Sequence, residues 1–342
     1  MTQDTSLQSP KIAAQTPSSH AAVTGLVAVV VTHNRLAQLH VTIARLLASH
    51  PDVLSKIIVV DNASQDGTTQ WLKGHNDPRV CPIFLDKNIG GAGGFEAGIR
   101  QATEVEMAEW VVVMDDDARP CVGAFEAFVA QGPSADVVSA AVFYPDGTIC
   151  EMNRPTLNPF RRPRVFLRTI FGKGPEAYHI PNAAYNDTTA REIDQTSFVG
   201  LFIPRRAIEQ IGYPDPSLFI YGDDVLYTMA LREAGYSMSF DPNIRFEHDC
   251  STFDKNAKPR FEPMWKAYYA YRNRLFMYRK AAGPLFFWPL FVLVAATWCA
   301  LSTRYRGNRK TYFRVLFTAL RHGALNQTNL TFDQVRALSG DL

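Results

Sequence analysis

The chain has almost no net charge to direct it: 35 basic side chains against 33 acidic ones leave +2 over 342 residues. That balance gives no field to steer a polyanion, so a nucleic-acid partner is not expected. Cysteine is sparse as well. Cys81, Cys121, Cys150, Cys250 and Cys299 are odd in number, scattered and without a C-x-x-C pair, which argues for reduced thiols filling the core of a cytoplasmic protein. The N-terminus lacks a basic segment followed by an apolar run, so no secretory signal is expected. Internal repeats at solenoid or propeller spacing are also missing. What remains is a globular composition, 46% hydrophobic, with length for one large domain or two ordinary ones.

What is present is organised around Val111-Val112-Val113-Met114-Asp115-Asp116-Asp117-Ala118-Arg119-Pro120. The valines suit a parallel strand covered on both faces, and Pro120 cannot extend a central ladder, so the acids fall at the strand's carboxyl end. That edge is where open α/β sheets bind ligands. Side chains alternate along an extended backbone, so Asp115 and Asp117 project to one side and can share a hard cation, while Asp116 points away. Three solvated turn acids are the plainer alternative, but adjacent like charges repel unless something compensates them.

The rest of the chain supplies the frame. Residues 1–24 are polar and unpatterned and read as a disordered tail. Leu26 to Val31 is an apolar run followed by Thr32-His33-Asn34-Arg35 and a helical pattern through Leu36, Leu39, Ile43 and Leu46. The unit recurs from Ile57, from Val80 and from Trp110, and four βα units imply an α/β fold on a mainly parallel sheet. Val137 to Phe143 is a fifth apolar strand. A proline-interrupted tract from Tyr144 to Thr196 carries Arg154, Arg161, Arg162, Arg164 and Arg168, a solvated loop or a surface for an anionic ligand or lipid. Beyond it the pattern predicts a strand over 197–203, a short helix over 205–211, a helix opening at Asp223-Asp224, and two short strands over 237–240 and 244–248. Three regions result: the tail, an α/β domain over 25–262, and a C-terminal helical region over 263–342. In the last, residues 281–303 carry no charge, long enough to cross a bilayer. Pro284, Pro289 and basic residues at both ends favour an in-plane or monotopic anchor over a span, with a buried core helix as the alternative.

A cation beside Asp115 and Asp117 would serve to hold a diphosphate, and oxygen ligands suggest Mg2+ or Mn2+. His248, at another strand end, is a candidate third ligand that tilts the choice toward Mn2+. Asp223 and Asp224 suit a helix N-cap, and one is enough for that, leaving the second free to act as a general base. Asn88-Ile89-Gly90-Gly91-Ala92-Gly93-Gly94-Phe95 follows a strand as a dinucleotide-binding loop does, yet Glu96 stands where the third glycine belongs. A dehydrogenase is therefore not expected, and the glycines suggest close backbone approach to a nucleotide or sugar.

Taken together, Val29 to Arg35, Val59-Val60-Asp61-Asn62, Asn88 to Phe95, Asp115-Asp116-Asp117, Gly222-Asp223-Asp224 and Tyr271-Arg272-Asn273-Arg274 resemble family 2 glycosyltransferases over roughly residues 25–280. The glycine loop, acid triplet, G-D-D, strand-end histidine and R-N-R are similar to bacterial galactofuranosyltransferases, with rhamnosyltransferases close by. The resemblance implies a GT-A fold and inverting transfer from a nucleotide-diphosphate sugar to a glycan or glycolipid acceptor. It implies Asp115, Asp117 and His248 as ligands of Mn2+ or Mg2+ and Asp224 as the base. Asp61 matches a contact to the nucleotide base, and Thr32, Asn88, Gly91 and Asp116 fall on donor-lining segments. The expected setting is the inner face of the membrane, held peripherally or monotopically, with a second copy of the chain as a further candidate partner. The alternatives are a rhamnosyltransferase using dTDP-rhamnose, a sugar nucleotidyltransferase, which lacks its glycine-rich basic loop here, and a non-catalytic membrane adaptor on the same fold.

Overall fold

The computed structural model of the chain describes residues 23–250 and 260–341. The expected disordered tail, residues 1–24, lies outside the described residues except for its last two.

Strands β1 (Leu26–Thr32), β2 (Leu54–Asp61), β3 (Val80–Phe84) and β4 (Trp110–Asp115) alternate with helices α1 (Leu36–Leu47), α2 (Thr68–Lys73) and α3 (Gly90–Arg100), as the four apolar runs predict. They pair in parallel in the order β3-β2-β1-β4. Both faces are covered. Leu26, Ala28 and Val30 of β1 pack with α1 on one side, while Val27, Val29 and Val31 pack with Phe95 and Ile99 of α3 on the other. Continuous valine runs are what such a doubly buried strand requires.

Beyond the triplet come β5 (Ala118–Pro120), α4 (Ala124–Gln131) and β6 (Val137–Phe143). The tract after β6 holds one short helix, α5 (Pro163–Arg168), and one two-residue strand, β7 (Arg191–Glu192), among isolated turns. Then follow β8 (Leu201–Pro204), α6 (Arg205–Ile211), α7 (Asp223–Glu233) and β9 (Met238–His248). The sheet is completed as β4-β8-β6-β9-β5, with β7 also on β9. Here the parallel expectation holds only in part: β8 is antiparallel to β4 and β6, and β5 is antiparallel to β9. Pro120 sits on the edge strand β5, where its missing N–H costs nothing.

Two sequence readings change. The two short strands over 237–240 and 244–248 are one strand, β9, bulged so that Ala140 faces Asp241 while Ala141 faces Arg245. Pro242, inside the bulge, cannot donate to a ladder. The strand expected from Ser197 starts only at Leu201, because the chain turns at Gly200 with φ +68°, where an added Cβ would lie 2.8 Å from the Ala140 Cβ.

The C-terminal region is α8 (Trp265–Ala300), α9 (Arg309–Leu325) and α10 (Phe332–Ser339). Helix α8 breaks at Gly283, with φ +66°. Its first part is buried against residues 217–221 and α9, through Ala267, Tyr268, Tyr269, Tyr271 and Leu275. The second part leaves Leu285, Trp288, Val292 and Leu293 exposed. Within the stretch 281–303, the expected core helix is therefore contradicted by the exposure of these side chains, and an apolar face is left open.

Candidate active site

The carboxyl ends of β1, β2 and β4 are level. Thr32 is in register with Asp61, and Val31 with Asp115. Parallel pairing therefore brings residues 29 and 84 positions apart in the chain to one sheet edge. Asp115, Asp117 and His248 meet there, each offering a ligand atom within 4.8 Å of the others. His248 arrives on β9 opposite Ala118 of β5, and its Nε2 lies 3.0 Å from Asp117 Oδ1. Its Nδ1 lies 2.7 Å from Asn153 Oδ1. Asp116 and Asp117 form a turn beyond β4 instead of continuing its alternation, and Asp116 accepts from Thr32 Oγ1 at 2.8 Å. The Arg35 guanidinium hydrogen-bonds Asp117 and reaches Asp116 Oδ1 at 3.4 Å.

These charges set each other's protonation. Burial, then the neighbouring Asp117 charge, pushes the Asp115 carboxyl up to about 7. Burial pushes Asp116 up to about 6 although Arg35 opposes it. At Asp117 burial pulls upward too, but the bonds and charges of His248 and Arg35 outweigh it and hold this carboxyl below the usual range. The His248 imidazole, which burial alone would push down, is raised to about 10 by its bond to Asp117 and the surrounding negative charge. The cluster is an excess of buried carboxylate balanced by one guanidinium and one protonated ring. A divalent cation displacing the imidazole proton fits it, and two carboxylates with an imidazole are a donor set for Mn2+ or Mg2+.

The second acidic group lies at the start of α7. The expected side-chain N-cap is absent: the N-cap is Gly222, with φ +82°. Asp223 is buried and its carboxyl is driven well up by burial, by Asp224 and by Asp115. Asp223 is thus near enough to the strand-end cluster to feel the charge of Asp115. Asp224 is half-buried, accepts from the Val225 N–H at 2.7 Å, and is pushed up to about 6 by burial. The chain leading to it is unusual. Phe219 and Tyr221 both have left-handed φ, +65° and +68°, a conformation that costs about 1–3 kcal/mol each unless the surroundings enforce it. Asn273 on α8 enforces it: its side-chain amide donates to the carbonyls of Leu218, Ile220 and Tyr221 at 2.8 to 2.9 Å. Arg272, fully buried between the rings of Tyr268, Tyr269 and Phe276, donates to Ser217 O at 2.9 Å.

The donor-lining candidates divide. Asp61 is buried and accepts from the Ser64 N–H at 2.9 Å and from Thr69 Oγ1. Asn88 accepts from the Gly90 N–H at 2.8 Å, shaping the entry to α3. Of the glycines, Gly93 and Gly94 face protein: a Cβ at Gly93 would lie 2.8 Å from the Ile89 side chain, and one at Gly94 2.5 Å from Val31. Gly90, with φ +77°, abuts the Phe219 carbonyl. Gly94 lets α3 pack closely on β1, Gly90 lets it approach the chain before Asp224, and Gly93 makes room for Ile89 at the helix's own start, so close approach to a ligand explains only Gly91, whose missing Cβ faces open space.

Sequence reasoning missed the roles of Arg35, Asn153, Arg272 and Asn273. Arg35 was detectable as a cation beyond a strand end in a site otherwise short of positive charge. The R-N-R segment stands in an aromatic stretch, where a buried guanidinium needs carbonyl partners. Asn153 lies in the tract from Tyr144 to Thr196, whose pattern carries no signal for it.

Residues 27–192 match the model of glycosyl transferase family 2. Galactofuranosyltransferase GlfT1 of Mycolicibacterium smegmatis is 26% identical over 72% of this chain and 80% of its own. The protein of the same name from Mycobacterium tuberculosis H37Rv is 27% identical over the same shares. Among solved structures, GalNAc-T7 with UDP, GalNAc and Mn2+ superposes with a TM-score of 0.54 at 14% identity, over 75% of this chain and 47% of that longer one. Residues 1–349 of S. aureus TarS superpose with a TM-score of 0.50 at 12% identity, over 92% and 90%. The superpositions carry the GT-A fold, and the sequence matches give this chain a glycosyl transferase family 2 domain over residues 27–192 and a resemblance to galactofuranosyltransferases.

Proposed function

We propose that the chain moves galactofuranose from UDP-galactofuranose onto a cell-envelope glycan or lipid-linked acceptor, with inversion and with help from Mn2+ or Mg2+. The observation that carries the reading is the convergence of Asp115, Asp117 and His248 within 4.8 Å at one sheet edge, with the Asp223 carboxyl near enough to feel the charge of Asp115. The names of the relatives supply the sugar. A cation held by Asp115, Asp117 and His248 would neutralise the negative charge that grows on the departing diphosphate. Asp61 contacts the nucleotide base, and Thr32, Asn88, Gly91 and Asp116 line the donor. Asp224, ionised, takes the proton of the acceptor hydroxyl. The oxygen bonds to the anomeric carbon as the bond to the β-phosphate oxygen breaks, and that electron pair leaves with UDP.

The same reading places the enzyme on the cytoplasmic face of a membrane. The second half of α8 has an apolar window of mean hydropathy 1.9, of which 11% is buried. With the helical turn Leu301–Arg304 that continues it, the segment after Gly283 reaches about 30 Å, so its length permits a crossing and the choice of an in-plane seat rests on its surroundings. Beside it, α5 and the residues after it expose Leu167, Ile170 and Phe171 with Arg164 and Arg168, joined to α8 by the rings of Phe160, Phe166 and Phe286. Apolar side chains with arginines between them suit an in-plane seat among anionic headgroups.

The test is incubation of the full chain with UDP-galactofuranose, dTDP-rhamnose and other nucleotide sugars, with and without Mn2+, scoring hydrolysis and transfer. Turnover confined to UDP-galactofuranose and dependent on the cation is the expected result. Preference for dTDP-rhamnose would replace the sugar assignment, and turnover unaffected by chelation would overturn the metal assignment.

A further inference from the structure

Two cysteines stand where core filling alone does not explain them. Cys150 follows β6 and Cys250 lies two residues beyond His248. Their sulfurs and a ring nitrogen of His248 all lie within 4.8 Å of one another. All three residues are buried, at 0%, 8% and 6% exposure. Cys150 Sγ donates to Asn153 Oδ1 at 3.0 Å and Cys250 Sγ to Met152 Sδ at 3.4 Å. Thiols are weak donors, so neither bond is a strong reason to gather them there. Two thiols and an imidazole are instead the ligand set of thiophilic cations.

We propose that Cys150, Cys250 and His248 form a second cation site, of the zinc class, that antagonises the hard-cation site by competing for the imidazole they share. On binding, each thiol gives its proton to solvent and ligates as thiolate, the ring ligates through a neutral nitrogen, and a fourth tetrahedral position stays open to water. The two sites sort metals by donor chemistry. Carboxylate oxygens at Asp115 and Asp117 favour Mn2+ or Mg2+, while the sulfurs favour Zn2+. A neutral imidazole with Zn2+ on one nitrogen carries its proton on the other, which then has no lone pair left for a cation at Asp115 and Asp117. The antagonism rests on the reading of Asp115, Asp117 and His248 as the donor-metal site; the thiol site itself does not.

The experiment uses Co2+ as the probe, because thiolate ligation gives a sulfur-to-cobalt charge-transfer band that oxygen ligands do not. The full chain should show that band and lose it on addition of Zn2+. Cys150→Ser and Cys250→Ser should each abolish it. Equimolar Zn2+ should weaken Mn2+-supported UDP binding by about 5- to 150-fold in the wild type, the ordinary range of coupling between sites, and leave both variants unaffected. Should Cys150→Ser fail to fold, Cys250→Ser carries the same comparison. Absence of the band in the wild type would overturn the proposal, as would equal zinc sensitivity in wild type and variants. A band in a wild type that binds UDP without regard to Mn2+ would overturn the donor-metal reading and keep the thiol site.

Discussion

The two acidic groups of the site are held in opposite ways. Asp115, Asp116 and Asp117 are fixed by charge: Arg35 and His248 neutralise them, and each acid sets the protonation of the next. Asp223 and Asp224 are fixed by backbone: two left-handed residues and Gly222 aim them, and the Asn273 amide holds that conformation. The first arrangement is made to exchange counter-ions, since a cation of higher charge can replace the protonated ring. The second permits little exchange, because a base needs reach and a constant position more than a changeable charge.

Perturbing each group separately tests that division. Asp224→Asn should have the largest effect, lowering transfer by about 10²–10⁴-fold, the usual worth of a general base, with Mn2+-dependent UDP binding unchanged by calorimetry. Wild-type turnover would remove Asp224 from the mechanism. Asp117→Ala should weaken UDP binding by about 10²-fold in the presence of Mn2+ and very little in its absence, because several kcal/mol of cation contact is lost. A uniform loss in both conditions would show that the cluster does not hold the cation. Asn273→Ala frees three carbonyls and should lower kcat by about 10²-fold, the cost of misplacing a reacting group by about an ångström, while UDP affinity stays near wild type. Lost UDP binding there would mean that the two groups are not mechanically separate. The smallest effect is that of pH. With its carboxyl pushed up to about 6, Asp224 is ionised above that value and protonated below it, so kcat should fall about tenfold per unit as pH drops below about 6 and level off above it. A flat profile between pH 5 and 7 would contradict the assigned base.

The legible parts of the sequence are those where one residue type has one physical reason. Unbroken valines at Val27 to Val31 and Val111 to Val113 mean a doubly covered strand, and acids placed just after it mean a strand-end cluster. Order along the chain was then enough to anticipate the four parallel strands and the meeting of Asp115 with Asp117. What could not be read depends on contacts distant in sequence. Asn153 reaches His248 across 95 positions and Asn273 reaches Leu218 across 55, and neither side chain differs locally from a solvated one. The glycines misled for a related reason. A missing Cβ reports that something approaches, and at Gly93 and Gly94 that something is Ile89 and Val31 rather than a ligand. The break in α8 was likewise obscured by Pro284, since a proline marks an interruption without saying which side is covered.

The register at the sheet edge, with Thr32 opposite Asp61 and Val31 opposite Asp115, makes that edge a ruler. Its unit is the distance between neighbouring strands, about 4.8 Å. Asp61 on β2 and Asp115 on β4 are two units apart, with β1 between them, so the two ends of anything laid across that edge are gauged at roughly 10 Å by the hydrogen-bond ladder itself. Side chains can adjust how tightly each end is gripped, but the span is a property of the backbone. One residue inserted into β1 would move Thr32 off the scale while the marks on either side stayed where they are.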